Sequence, residues 1–280
     1  MSDSGFDLTT GTTNFLQQSP HRLLINGEWV AAASGKTFTS LNPSGGTPLA
    51  ELAAAGPADV DRAVVAARQA YNNGWRDMLP AAREVLLRKL GDLITAHATE
   101  LAELESLDNG KPIKHTRAID APAAAKRVYH AAGWPGKITG QTVPVSIPNH
   151  FVYTRREPLG VVGIIIPWNY PLIHAMQKMA PALACGNTVV FKPAAPAPVT
   201  AVRLGQLIQE AGFPPGVVNI LTEPGIEAGA ALAEHQDVDK LAATGSPRMG
   251  RSVIQASAGN FKRLTLELGN KAPNIIFADA

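Results

Sequence analysis

A single cysteine in 280 residues cannot close an internal disulfide, so nothing in this chain rests on a disulfide framework. That usage suits a reducing compartment, and the cytoplasm is the expected location. Charge is sparse as well, at 17% Asp, Glu, Lys and Arg against roughly 25% in soluble domains generally. The 25 basic and 23 acidic residues leave a net charge of +2. No basic run exceeds two residues, as at Arg155-Arg156 and Lys262-Arg263. A polybasic surface for nucleic acid or anionic membrane is thereby excluded. Long apolar runs are missing too. The most apolar segment, Leu159 to Trp168, falls well short of the roughly 20 residues of a membrane span. The first twenty residues are polar and lack the cationic start and apolar stretch of a secretory signal; they are expected to form a disordered tail. Two common phosphate-binding signatures, G-x-G-x-x-G and G-x-x-x-x-G-K-[ST], do not occur.

What remains is a 45% apolar chain, enough for one or two packed domains. From Pro57 onward, helical and strand patterns alternate. Pro57 suits a first helical position, and Val60, Val64, Ala67 and Tyr71 follow at helical spacing. Pro80 opens a longer helix whose stripe is Leu86, Leu90, Leu93, Ile94, Leu101 and Leu104. The segment Asp108-Asn109-Gly110-Lys111-Pro112 stops it, and a third helix is expected over Ala121 to Ala132. Short apolar runs bounded by Gly or Pro then follow: Val161 to Ile166, Thr188 to Phe191, Val217 to Leu221, Lys240 to Ala243 and Asn274 to Phe277. Such runs separated by helices describe a parallel sheet covered on both faces. Residues 137–157 alternate loosely around prolines, which suggests a projecting two-stranded arm. The expected fold is α/β: a doubly wound, Rossmann-like parallel sheet with N-terminal helices and a β-hairpin arm.

In such a sheet, ligands bind beyond the carboxyl ends of the strands, and several of those ends carry unusual chemistry. Ile166-Pro167-Trp168-Asn169-Tyr170-Pro171 sets an amide between two prolines, and Lys192 puts a cation at a strand terminus. Thr244-Gly245-Ser246-Pro247 is a tight turn into a helix, whose free N–H groups and positive dipole end suit a pyrophosphate. Taken singly, Asn169 reads as a turn residue, Glu267 as a solvated charge, Lys192 as a surface cation and Cys185 as a buried structural thiol.

From about His21 to its last residue the chain resembles the aldehyde dehydrogenase superfamily. The blocks that carry the resemblance include Ile25-Asn26-Gly27-Glu28-Trp29, Glu103 to Pro112, Pro167-Trp168-Asn169-Tyr170-Pro171, Gly212 to Asn219, Thr244-Gly245-Ser246 and Leu264 to Gly269. The resemblance implies NAD or NADP as cofactor, a small-molecule aldehyde as substrate and a carboxylic acid as product. By it, Asn169 donates to an oxyanion and Glu267 is a general base that activates water. Lys192 binds the adenosine ribose, beside Ala195. Ser246 and Gly245 hold the pyrophosphate. Ile166, Pro167, Trp168, Gly225, Gly229 and Leu268 line the cofactor cleft, and no metal is implied. The expected division is a tail over 1–20, the first part of a cofactor-binding domain over 21–136, an oligomerisation arm over 137–157, the Rossmann-like portion over 158–270 and the start of a catalytic domain over 271–280.

The chain departs from the family pattern in two ways. The nucleophilic cysteine that the family carries well after the glutamate is absent, since 13 residues follow Glu267 and Cys185 precedes it. A truncated, catalytically incomplete nucleotide-binding fragment is therefore expected, with a homo-oligomer or pairing with a full-length homologue as its association. The alternatives are an assembly subunit and a non-functional remnant. Around the cleft, Ala195 replaces a ribose-binding glutamate, Glu223 and Asn270 replace glycines, and Ala243 replaces a phenylalanine. Ala195 neither bonds a ribose hydroxyl nor repels a 2′-phosphate, so NADP is expected to be tolerated at least as well as NAD, unless Glu223 faces the same pocket.

Overall fold

The computed structural model describes residues 6–269 and 272–279. The chain begins with helix α1 (Thr10–Gln17), strands β1 (Leu23–Ile25) and β2 (Glu28–Val30), and the hairpin β3 (Thr37–Leu41) and β4 (Pro48–Ala53). Helices follow: α2 (Pro57–Ala70), α3 (Pro80–Ala96), α4 (Ala98–Asn109), the short α5 (Ile113–His115) and α6 (Ala121–Ala132). Local chemistry sets their ends. Pro57 occupies the first turn of α2 while the Asp59 carboxylate accepts the Gly56 amide at 3.0 Å. Gly110 closes α4 in the left-handed region, at φ 77°. The arm is a two-stranded antiparallel ribbon, β5 (Thr142–Val143) with β6 (Val152–Tyr153). The second half alternates strictly: β7 (Val161–Ile165), α7 (Pro171–Ala184), β8 (Thr188–Lys192), α8 (Val199–Ala211), β9 (Val218–Ile220), α9 (Glu227–Glu234), β10 (Lys240–Gly245), α10 (Pro247–Ser257) and β11 (Arg263–Leu268).

Seven strands form one sheet in the order β11-β10-β7-β8-β9-β1-β2. The first five are parallel and the β1–β2 hairpin adds antiparallel at the β9 edge. Alternation along each strand sends successive side chains to opposite layers. Val162, Ile164, Val189 and Phe191 join the core formed by α3, α6, α7 and α8. Val161, Val190 and Leu241 join the one formed with α2 and α9. Because both faces are covered, these strands read as continuous apolar runs. The chain winds from β7 outward to β9, then crosses back to place β10 on the other side of β7. The strand order therefore switches between β7 and β10.

Three expectations are corrected. Residues 6–20 are not a disordered tail: Phe15 is buried and stacks on the His21 ring at 4.4 Å, and Glu103 accepts the Thr9 amide at 2.9 Å and the Thr12 hydroxyl at 2.6 Å. The long helix from Pro80 is two helices, broken at His97 (φ −99°, ψ 18°), whose ring bonds the Glu100 carboxylate at 2.8 Å. The apolar run Asn274 to Phe277 forms no strand; Ile275, Ile276 and Phe277 are at least 70% exposed, with no sheet partner among the described residues. Strand β11, which extends the sheet instead, has the alternating pattern of a half-covered edge. Asn270, one of the residues that replace family glycines, lies outside the described residues.

Burial holds the His21 imidazole at about 4, below its usual 6.5, so the unfolded chain takes up a proton that the folded chain refuses. The stability this contributes is complete above pH 6.5 and is lost as pH falls toward 4. His21→Phe, which can stack on Phe15, should reduce the stability lost between pH 7.5 and about 4.5 by about 2 kcal/mol. Urea titrations of both proteins at both pH values measure it; identical losses would refute the assignment.

Candidate functional site

The register brings the chemistry to one side of the sheet. Ile165 lies opposite both Lys192 and Ala243, and Ala243 lies opposite Leu266. These four residues form a row across β8, β7, β10 and β11. Pro167, Trp168 and Asn169, then Thr244 to Ser246, and Glu267 with Leu268, all lie beyond that row. They surround an open cleft of about 760 Å³ at the switch point between β7 and β10, where a doubly wound sheet takes its ligand. Thr244 and Glu267 face each other directly in the β10–β11 ladder.

The Asn169 loop is anchored from below. Pro171 opens α7, and the Leu172 amide donates to Glu105 Oε2 at 3.0 Å. Burial, with Asp120 adjacent, raises Glu105 well above the usual carboxylate range. The Lys111 ammonium bonds the Asp120 carboxylate and lies 3.6 Å from the centre of the Tyr170 ring. Asn169 itself is exposed to the cleft, and Ile166 is buried beneath the loop.

Across the cleft, Ser246 caps α10, its hydroxyl accepting the Met249 amide at 3.2 Å. The close approach of this helix to the sheet depends on glycine: a Cβ at Gly250 would stand 2.6 Å from Leu268. Thr244 Oγ1, on the cleft wall, is buried without a hydrogen-bond partner. Helix α7 adds His174 and Gln177, which sequence reading missed. Burial and the nearby Lys178, Arg127 and Lys111 push the His174 imidazole down, favouring its neutral form. Burial likewise lowers the Lys178 ammonium while Glu267, within Coulombic reach, pulls it up. The signal for these three was their polarity on an otherwise apolar helix.

A second group lies at the ends of β8 and β9. Lys192 Nζ stands 3.1 Å from Glu223 Oε1 and 3.5 Å from the Gly225 carbonyl. Gly229 adjoins both side chains. Ala195, on the connection after β8, is half-buried and carries no polar side-chain atom. Glu223, a departure from the family pattern, is thus a member of the group, facing the same pocket as Lys192.

Cys185 sits away from both groups. It follows α7 and precedes β8, at the amino ends of the parallel strands and so at the opposite end of the sheet from the cleft. The expected burial is also corrected: the residue is exposed, because it occupies the turn between helix and strand rather than either packed face. Its surroundings, including Arg83, Arg155 and Arg156, line a separate cavity. Partial burial still pushes the thiol up, and Arg83 pulls the other way. Among the described residues no His, Cys, Asp and Glu cluster could hold a metal, and no helix is long and apolar enough to cross a membrane.

A doubly wound sheet with a capped helix terminus facing its switch point defines a Rossmann-like α/β protein. The chain belongs to the aldehyde dehydrogenase family, whose profile matches residues 29–280. It is 48% identical over 274 residues to an aldehyde dehydrogenase of Alternaria alternata, covering 98% of this chain and 55% of that protein. It is 50% identical over 263 residues to human retinal dehydrogenase 2, covering 92% and 50%. Among solved structures, an NAD+ complex of aldehyde dehydrogenase from Bacillus cereus superposes with a TM-score of 0.93 at 46% identity, covering 97% of this chain and 55% of that one. The chain spans about half the length of the curated relatives it matches.

An exposed thiol reacts without unfolding, and a raised pKa slows it near neutrality. Iodoacetamide should label Cys185 fully in the native protein, faster as pH rises from 7 toward 9. Labelling that waits for denaturant would restore the buried reading.

Proposed function

We propose that the chain forms the nucleotide-binding half of an aldehyde-oxidising site that uses NAD or NADP. The observation that carries this reading is the single cleft shared by Asn169, Glu267 and the amino end of α10. The group fits: α10 offers the Arg248 amide, which its Ser246 cap does not use, and Thr244 Oγ1 is a buried polar atom awaiting a partner. Ser246, Gly245 and Trp168 hold the pyrophosphate, and Lys192 with Gly225 and Gly229 holds the adenosine end. Pro167, Ile166 and Leu268 shape the floor. When bound, the nucleotide supplies a hydride acceptor. Asn169 donates its amide to the oxygen that becomes negative as the aldehyde is attacked, and Glu267 takes the proton of the water that releases the acid.

Covalent attack on the aldehyde needs a thiolate at this cleft, and Cys185 is at the other end of the sheet. The chain by itself therefore binds nucleotide without turning over aldehyde. An assembly role is the second reading, favoured by the exposed arm residues Ile147, Phe151 and Tyr153; the arm then pairs with a neighbouring subunit.

Titration with NAD, followed by tryptophan fluorescence, should give saturable binding. Ser246→Asp keeps a side-chain cap for α10 but places a negative charge where the pyrophosphate belongs, and should weaken binding about tenfold or more with little change in melting temperature. Equal affinities would sink the pyrophosphate assignment. The purified chain should form no NADH or NADPH on addition of aldehyde; turnover that survives Glu267→Gln and vanishes in Cys185→Ala would overturn the account.

A further inference from the structure

The Glu223 carboxylate is built into the start of a helix and locked against Lys192 at the adenosine end. Its Oε2 accepts the Ala228 amide at 2.8 Å and its Oε1 accepts the Gly229 amide at 3.0 Å, both in the first turn of α9. Oε1 also lies 3.1 Å from Lys192 Nζ, and the two side chains are 1% and 9% exposed. Both oxygens and the ammonium are therefore committed to one another and to α9 before any ligand arrives.

We infer that Glu223 makes this site select NAD over NADP, an inference that rests on the nucleotide reading above and names the residue that discriminates. The two cofactors differ by a phosphate on the ribose 2′-oxygen, with a charge of about −1.5 to −2 near neutral pH. A site that welcomes it needs an unpaired cation or a free helix amino end. Here Lys192 is neutralised by Glu223, and the α9 amides that could cradle a phosphate hold the Glu223 oxygens instead. A ribose hydroxyl meets no such obstacle: it can accept from Lys192 and donate to a remaining lone pair of Glu223. The carboxylate absent at position 195 is supplied from the neighbouring strand end, which reverses the expectation drawn from Ala195. The two helix termini divide the work. The α10 end stays open to the pyrophosphate, and the α9 end is closed by a side chain of its own loop.

Calorimetric titration of the intact chain with NAD and NADP, separately at pH 7.5, reads the preference. NAD should bind about tenfold more tightly or better. Glu223→Gln, which retains an acceptor for α9, should shrink the ratio to within about threefold, chiefly by tightening NADP. NADP binding as tight as NAD in the unaltered chain overturns the inference alone, as does an unchanged ratio in a folded Glu223→Gln protein. Binding of neither nucleotide overturns the nucleotide reading together with it. If the variant does not fold, titration of the unaltered chain at about pH 5.5 replaces it, because the 2′-phosphate gains a proton near pH 6. The preference should narrow there, and an unchanged one overturns the inference.

Discussion

The structure turns on the carboxylates of one buried helix. Glu100, Glu103, Glu105 and Asp108 of α4 are all buried, and each serves another element rather than solvent. Glu100 pairs with Arg203 of α8 at 2.6 Å, and Glu103 holds the turn that starts α1. Glu105 accepts the first-turn amide of α7, and Asp108 accepts the Val199 amide at 2.8 Å where α8 begins. Burial pushes Asp108 up to about 7 despite the amides and hydroxyl that bond it. Buried polar groups are tolerated when their partners are fixed, and here those partners are the first residues of the helices that pack on the sheet. The chain order of α4 ahead of the parallel sheet thereby becomes a spatial order, with helix starts held at defined heights above the strand ends.

That placement also sets the positions of the residues around the cleft. Asn169 is positioned through the Leu172 amide and the Lys111–Tyr170 contact. Ser246 is positioned through its own cap, and Glu267 through its ladder partner Thr244. Support of the reacting groups from a packed layer beneath them is a general requirement of preorganised sites.

The same logic separates Cys185 from the site. Its thiol belongs to the turn that reverses the chain from α7 into β8, and in a parallel sheet such turns lie at the end remote from the ligand. Proximity in sequence to Lys192 therefore misleads, because an intervening five-residue strand carries the chain from one side of the sheet to the other.

Sequence alone determined the helices from Pro57 to Ala132, the alternation of strands and helices from β7 to β10, the stop at Gly110, the arm and the strand ends that carry chemistry. All of these follow from local periodicity, from proline and glycine, or from motif blocks of a few residues. The docking of α1 and the break at His97 were decided by partners far along the chain, Glu103 for α1 and Arg203 for the turn at Glu100, and it is β11, not Asn274 to Phe277, that ends the sheet. The Lys192–Glu223 pair is the sharpest instance. A substitution of glycine by glutamate, read linearly, says only that a charge has appeared; which cation it neutralises and which helix it closes depend on β8 and β9 lying side by side. Short-range preferences can write elements into a sequence, but a buried ion pair exists only once tertiary packing has excluded water from both its members.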